Sequence, residues 1–136
     1  MAITQFRGTV DTSPFPKTAS TALTANTLVT FTSGQLVAAT SSTLTFAGII
    51  PRAVATTDDD YASATVVPVI SLRPRDASFL IATTGAAATN VGGSYDLSDA
   101  GTLNLSGTSY KQFTVRNVIS STLVEVVPND AVVTVL

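Results

Sequence analysis

The chain has 136 residues, of which seven are Lys or Arg and nine are Asp or Glu, so its formal net charge is −2. This length suits one domain with a sizeable core. The scattered basic residues form no basic stripe, which argues against nucleic-acid binding, and the absence of cysteine excludes a disulfide framework and a thiolate metal site.

The apolar segments are too short for the usual membrane and export signals. No run approaches the roughly 20 apolar residues that a membrane-spanning helix needs. The first ten residues, MAITQFRGTV, lack the apolar stretch of a secretory signal. We therefore expect a chain that is made and folded in the cytoplasm and has no membrane partner.

The sequence is unusually poor in charge. Charged residues make up 12% of the chain and hydrophobic residues 45%, whereas a typical soluble domain has about 25% charged residues. Threonine and serine supply most of the remaining polarity. Because neutral hydroxyl groups can be covered without the cost of burying a charge, this composition favours a subunit of an assembly, such as a homo-oligomer.

Residues 1–20 differ from the rest of the chain, because Pro14 and Pro16 favour an extended backbone and cannot donate to a sheet ladder. This pattern predicts an extended N-terminal arm, followed by a single β domain over residues 21–136. The arm either folds back on its own domain or reaches a neighbouring subunit. Its candidate contact residues are two aromatic anchors and two basic groups: Phe6, Phe15, Arg7 and Lys17.

From residue 25 onward, short runs rich in β-branched and aromatic residues alternate with turn residues. Pro68 lies inside one run and indicates an edge strand or a bulged strand. The turn spacing is typical of sandwiches and barrels, and no segment shows a sustained helical period. The predicted class is all-β, a jelly-roll-like β-sandwich with a small β-barrel as the alternative. The predicted strands span residues 27–32, 35–39, 44–50, 64–72, 78–83, 94–97, 102–105, 112–119, 123–127 and 131–136.

Three consecutive aspartates, Asp58, Asp59 and Asp60, stand between two of these runs. A calcium loop places its oxygens at alternating positions and continues with a glycine and a bidentate glutamate, which this segment lacks. A solvated turn, where carboxylates meet free N–H groups, is favoured over calcium binding or catalysis. In so neutral a chain, the three carboxylates mark either the solvent-facing end of the domain or a docking point for a basic partner.

The sequence is poorly supplied with catalytic groups. Without His or Cys, the usual general base and the best nucleophile are missing. Glu125, the single glutamate, lies in LVEVV, where strand alternation predicts a side chain that faces outward. We expect no enzymatic activity, no catalytic residue and no metal or cofactor.

The single local basic pair, Arg73 and Arg75, flanks Pro74 in the segment SLRPRDAS. Arginine is enriched at interfaces because its planar guanidinium pairs with carboxylates. The segment is therefore either an ordinary solvated loop or a loop that contacts another subunit.

Two stretches carry a resemblance to a known family. They are LTANTLVTFTSGQLVAATSSTLTFAGIIPRAVATTDDDYASATVVPVI, residues 23–70, and GGSYDLSDAGTLNLSG, residues 92–107. A threonine-rich hairpin followed by a G-I-I-P strand, short strands rich in alanine and threonine, and a proline-bearing N-terminal arm resemble the small head-decoration, or cement, proteins of tailed bacteriophages.

The resemblance implies a virion protein that binds the outside of an icosahedral capsid as a dimer or trimer. Its partner would be the major capsid protein, and it would bridge neighbouring capsid subunits at capsomer junctions. Such families have no catalytic residues. The alternatives are a carbohydrate-binding or adhesive β-module and another virion subunit of a tail or fibre.

Overall fold

The computed structural model describes residues 2–72, 77–129 and 133–134, with only the backbone described for the last pair. The described residues form thirteen strands and one short 3₁₀ turn, Ala88–Asn90. In chain order the strands are β1 (Ile3–Arg7), β2 (Thr12–Pro16), β3 (Thr27–Thr32), β4 (Gln35–Ala38), β5 (Thr45–Phe46), β6 (Gly48–Ile50), β7 (Val66–Ile70), β8 (Ser78–Ala82), β9 (Ser94–Asp99), β10 (Thr102–Asn104), β11 (Phe113–Ser120), β12 (Leu123–Pro128) and β13 (Val133–Thr134).

The first sheet has the order β1-β8-β10-β9-β11-β12, and β8 also pairs with β12. The strands β8, β10, β9, β11 and β12 therefore close into a five-stranded barrel, which leaves no free edges among its members. β10 reaches β8 only at the pair Thr102–Ala82, and β1 runs antiparallel along the rest of β8.

The second sheet has the order β2-β7-β6-β3-β4, and every neighbouring pair in it is antiparallel. A bridge between Lys17 and Leu36 brings the end of β2 beside β4. The strands β5 and β13 form a separate parallel pair.

Strand alternation in the second sheet supplies two hydrophobic cores. Leu28 of β3 and Ile49 of β6 join the core of the barrel, where they pack with barrel residues such as Phe79. The residues that follow them, Val29 and Ile50, join a second core on the opposite face. Because successive side chains of a strand point to opposite faces, these short strands are apolar at consecutive positions.

The structure confirms the all-β prediction, and it is consistent with a β-sandwich that contains a small barrel. Several predicted strands match closely, including 27–32 and 35–39. The expectation that Pro68 marks an edge strand or a bulged strand is wrong, because β7 lies between β2 and β6 and its register with β2 is continuous.

The prolines fit because of the pairing register. Pro14 lies directly opposite Pro68, and since neither can donate, this must be a pair that exchanges no N–H···O bonds. The missing donor of Pro68 then faces β6, whose pairing with β7 is limited to Ile49 and Ile70. At Pro14 and Pro16 the absent N–H groups would have pointed away from β7. The outer edge of β2 therefore lacks two donors with which a further strand could pair.

The arm predicted for residues 1–20 is extended, but it is not separate from the sheets. β1 pairs with β8 in the first sheet, and β2 pairs with β7 in the second. Ile3 is fully buried in the barrel core. A boundary at residue 20 therefore does not divide the described fold, because both strands of this segment complete sheets formed by later residues.

Candidate interaction surface

Lys17, predicted as a charge partner for another protein, is fully buried. Its Nζ donates to the backbone oxygens of Asp60, at 2.6 Å, and Ser63, at 2.5 Å. The prediction for Lys17 is wrong because its side chain points to the inside of the fold, where the loop before β7 encloses it.

Arg7 is partly engaged within the chain. Its Nε lies 3.2 Å from Oε2 of Glu125, and the Arg7 side chain remains 63% exposed. Its guanidinium also lies 4.8 Å from the ring centre of Phe6, a cation–π contact. Arg7 therefore pairs with the buried carboxylate of Glu125, while much of the Arg7 side chain itself faces solvent.

Glu125 faces away from the barrel core as alternation predicts, but it is only 3% exposed. Its carboxylate accepts a 2.6 Å hydrogen bond from Ser78 Oγ and the ion pair from Arg7. The predicted outward direction is therefore correct, and the side chain is shielded from solvent because β1 pairs with β8 and brings Arg7 to the carboxylate.

The two predicted aromatic anchors differ in accessibility. Phe15 is half-buried and packs edge-on against Phe31, with 5.1 Å between the ring centres. Phe6 is 39% exposed. Of this pair, only Phe6 presents a largely open ring, while Phe15 belongs to the second core. Arg73 and Arg75 lie outside the described residues.

The aspartate segment forms an organised turn. Asp58 Oδ2 accepts the Ala55 N–H at 2.9 Å, and Arg52 Nη2 lies 3.1 Å from Asp60 Oδ1. Hydrogen bonds from Thr65 and Arg52 hold the pKa of Asp60 below its ordinary value of 3.8. Residues 2–72 and 77–129 contain no group of three or more carboxylates placed to hold a metal. This geometry is the structural turn that the sequence favoured, with Asp59 exposed at its tip.

A second internal carboxylate, which the sequence analysis did not single out, is Asp96 of β9. It is 8% exposed and accepts the backbone N–H groups of Ser109, Tyr110 and Lys111 at 2.7 to 3.0 Å. Burial raises the pKa of Asp96. The three backbone donors and the charge of Lys111 lower this pKa by a larger amount, so it lies below its ordinary value. The carboxylate holds the loop between β10 and β11 in place.

The exposed alternate positions of β2 and β7 form an uncharged apolar patch, on the face of the second sheet from which Ile70 packs against the barrel core. In the antiparallel register Pro16 lies opposite Val66 and Pro14 opposite Pro68, and directly opposed residues share a face. Val66 is 63% exposed, and Pro14 and Pro68 are also exposed. We call these four residues the proline face. Their spacing of two residues along each strand, with the buried Val67 between Val66 and Pro68, is the sequence signal that could have identified it.

Two open depressions lie elsewhere on the described surface. One is lined by Thr24, Thr27, Asp99, Ala100 and Gly101, and the other by Thr84, Ser98, Thr102, Leu103, Asn104, Leu105 and Ser106. Neither lining contains an aromatic ring on which a sugar could stack.

Comparison with models of known protein families, with curated proteins and with solved structures finds no match to this chain. In the described part of the chain, no helix has the length and apolarity that a membrane crossing requires.

Proposed function

We propose that this chain is a structural virion protein that binds the outer surface of an icosahedral phage capsid. It stabilises the shell by bridging neighbouring copies of the major capsid protein, and it associates with itself as a dimer or trimer. It is made in the host cytoplasm and resides on the exterior of the virion. It has no catalytic role and uses no cofactor.

The observation that carries this proposal is the proline face. Val66, Pro14 and Pro68 are exposed on paired strands, and no charged side chain interrupts their pairing. Complete burial of a valine side chain contributes about 1.5–3 kcal/mol. A partner can therefore gain free energy by covering this face without having to desolvate a charge.

The distribution of charge supports the same role. Glu125 is paired with Arg7, and Lys17 donates to backbone oxygens. Asp96 accepts three backbone N–H groups, while Asp60 pairs with Arg52. Glu125, Lys17 and Asp96 stabilise the fold from within, so much of the outer surface is left to neutral hydroxyl and apolar side chains. Weak contacts of this kind, repeated by capsid symmetry, add up to tight attachment.

Co-sedimentation with capsids tests the proposal and the role of the proline face together. The capsids are assembled from the major capsid protein encoded in the same genome. Val66→Glu places a charge on the proline face, and Ile119→Glu is the matched control because Ile119, 46% exposed, lies on β11. Both positions are exposed, so both variants should melt within a few degrees of the unmodified protein.

We expect the unmodified protein and Ile119→Glu to sediment with capsids, and Val66→Glu to lose at least tenfold in affinity. Failure of the unmodified protein to bind would contradict the proposed function. If all three proteins bind equally, the chain binds capsids but the proline face is not the surface through which it does so. Glycan binding or self-assembly into rings or tubes, measured on the same preparations, would instead favour an adhesive module or a tail subunit.

A further inference from the structure

The fully buried ammonium group of Lys17 has an unusual set of partners. Lysine normally keeps its charged end in water while its stem lies along the protein, yet Lys17 has 0% exposure. A buried ammonium must satisfy three donors and offset a large desolvation cost. The atoms around Nζ therefore determine whether the charge is tolerated.

The nearest acceptors are backbone carbonyl oxygens from one short loop. Nζ lies 2.6 Å from Asp60 O, 2.5 Å from Ser63 O and 3.5 Å from Tyr61 O. Because the Tyr61 oxygen is the most distant of the three, Asp60 and Ser63 supply the two main contacts. The Asp60 oxygen also accepts the N–H and the Oγ–H of Ser63, and the Tyr61 oxygen also accepts the N–H of Ser20.

The backbone of the loop is curled so that these oxygens converge. Asp58 N–H donates to Ala55 O, Tyr61 N–H to Asp58 O, and Ser63 N–H to Asp60 O, at 3.0 to 3.1 Å. Successive turns of this kind direct carbonyl oxygens towards one point, as in loops and filters that coordinate cations through backbone oxygens.

The carboxylates of the same loop contact other groups. Asp60 Oδ2 accepts from Thr65 Oγ1 at 2.7 Å, and Asp60 Oδ1 pairs with Arg52. Asp58 accepts the Ala55 N–H. Nζ thus donates its direct hydrogen bonds to neutral backbone oxygens, an arrangement that suits a single positive charge.

We infer that residues 58–63 form a carbonyl cage for a cation, and that the ammonium group of Lys17 is its built-in cation. Lys17 also donates its backbone N–H to Thr65 O at 3.0 Å, so one residue holds the loop at two places. The ammonium keeps the loop folded and thereby fixes the position of Asp59 at its tip. This inference does not depend on capsid binding.

Chemical rescue of Lys17→Ala tests the inference. Alanine keeps Cβ, so n-propylammonium has the atoms that the substitution removes. We expect Lys17→Ala to melt about 10 °C or more below the unmodified protein, because buried carbonyls lose their donors. Amide exchange of residues 58–63 should accelerate more than that of the barrel strands. Saturating n-propylammonium should recover at least half of the melting-temperature loss and slow the exchange of the loop.

Three controls separate a specific cage from a general salt effect. Tetramethylammonium carries the same charge but no N–H group, so it should not rescue Lys17→Ala. Lys111→Ala, which removes an exposed lysine, should not respond to n-propylammonium. Lys17→Met fills much of the space without a charge, so it should be destabilised and should not be rescued.

If Lys17→Ala does not fold alone, the yield of refolding with and without n-propylammonium becomes the readout, and a higher yield with the amine supports the cage. The inference is overturned if Lys17→Met melts with the unmodified protein. It is equally overturned if n-propylammonium changes neither the melting temperature nor the refolding yield of Lys17→Ala.

Discussion

Asp96 illustrates how individual charged residues act in this chain. Its carboxylate is buried in β9, yet it receives three backbone N–H donors from the loop before β11. A carboxylate with several such donors is stabilised in its charged form. The result is a buried negative charge that organises the loop before β11.

The lowered pKa of Asp96 gives stability a defined pH dependence. Since the folded-state pKa lies below the unfolded value of about 3.8, the charged form favours folding. This contribution is fully present well above pH 3.8 and is lost as the pH falls through the folded-state pKa. Asp60, whose pKa is also lowered, acts in the same direction.

Asp96→Asn should destabilise the protein by about 2 kcal/mol at pH 7, because the amide nitrogen cannot accept the Ser109 N–H that Oδ2 accepts. Urea unfolding at pH 7 and pH 3 measures the effect. The variant should differ from the unmodified protein by less at pH 3 than at pH 7, because pH 3 lies below the unfolded-state pKa of about 3.8, so the unfolded chain gains a proton there and part of the contribution of Asp96 is lost. An equal difference at both pH values would contradict a charged Asp96 in the folded state.

Among the elements, the contact between β6 and β7 depends on Gly48. Its φ is +144°, and a Cβ built there would lie 2.1 Å from the Ile70 carbonyl oxygen. Gly34, in the turn between β3 and β4, also has a positive φ of +78° but has open space around it. Substitution of Gly34 therefore tests the effect of a positive φ alone, whereas substitution of Gly48 tests a positive φ together with a steric clash.

Gly48→Ala should cost about 1–3 kcal/mol more than Gly34→Ala, because only Gly48 is in contact with another strand. Thermal unfolding of both variants provides the comparison. Equal losses of stability would show that the close approach between β6 and β7 does not matter.

An element could be predicted when the residues that determine it lie close together in the sequence. The hairpin of β3 and β4 was predicted closely, because β-branched residues and the Ser33-Gly34 turn lie within a few positions of each other. The sequence assigns β1 and β2 to an arm because their pairing partners, β8 and β7, lie at least 50 residues away in the sequence. The proline pattern indicated an extended chain correctly but could not indicate which strand would lie beside it.

For the candidate site residues too, local patterns predicted the direction of a side chain but not its distant partners. Sequence alternation placed Glu125 away from the core, but only the fold brings Arg7 over it. Likewise, nothing adjacent to Lys17 in the sequence indicates the loop oxygens more than 40 residues away. Of the four predicted contact residues of the arm, Phe6 and Arg7 are exposed, while Phe15 is partly buried and Lys17 is fully buried.

At the scale of the whole molecule, two hydrophobic cores share the strands β3 and β6. The N-terminal residues connect both parts, since β1 joins the barrel and β2 joins the second sheet. On the proposed function, the molecule therefore acts as one stiff block between capsid subunits, with the proline face as a contact surface.

The temperature at which capsids release their DNA tests the central claim, stabilisation of the shell, most directly. Capsids purified without the protein are compared with the same capsids after saturation with it, using a DNA-binding dye to follow release during heating. We expect a release temperature several degrees higher for the saturated capsids, and no such increase with Val66→Glu at the same concentration. Binding of the unmodified protein with an unchanged release temperature would contradict the claim that it stabilises the capsid.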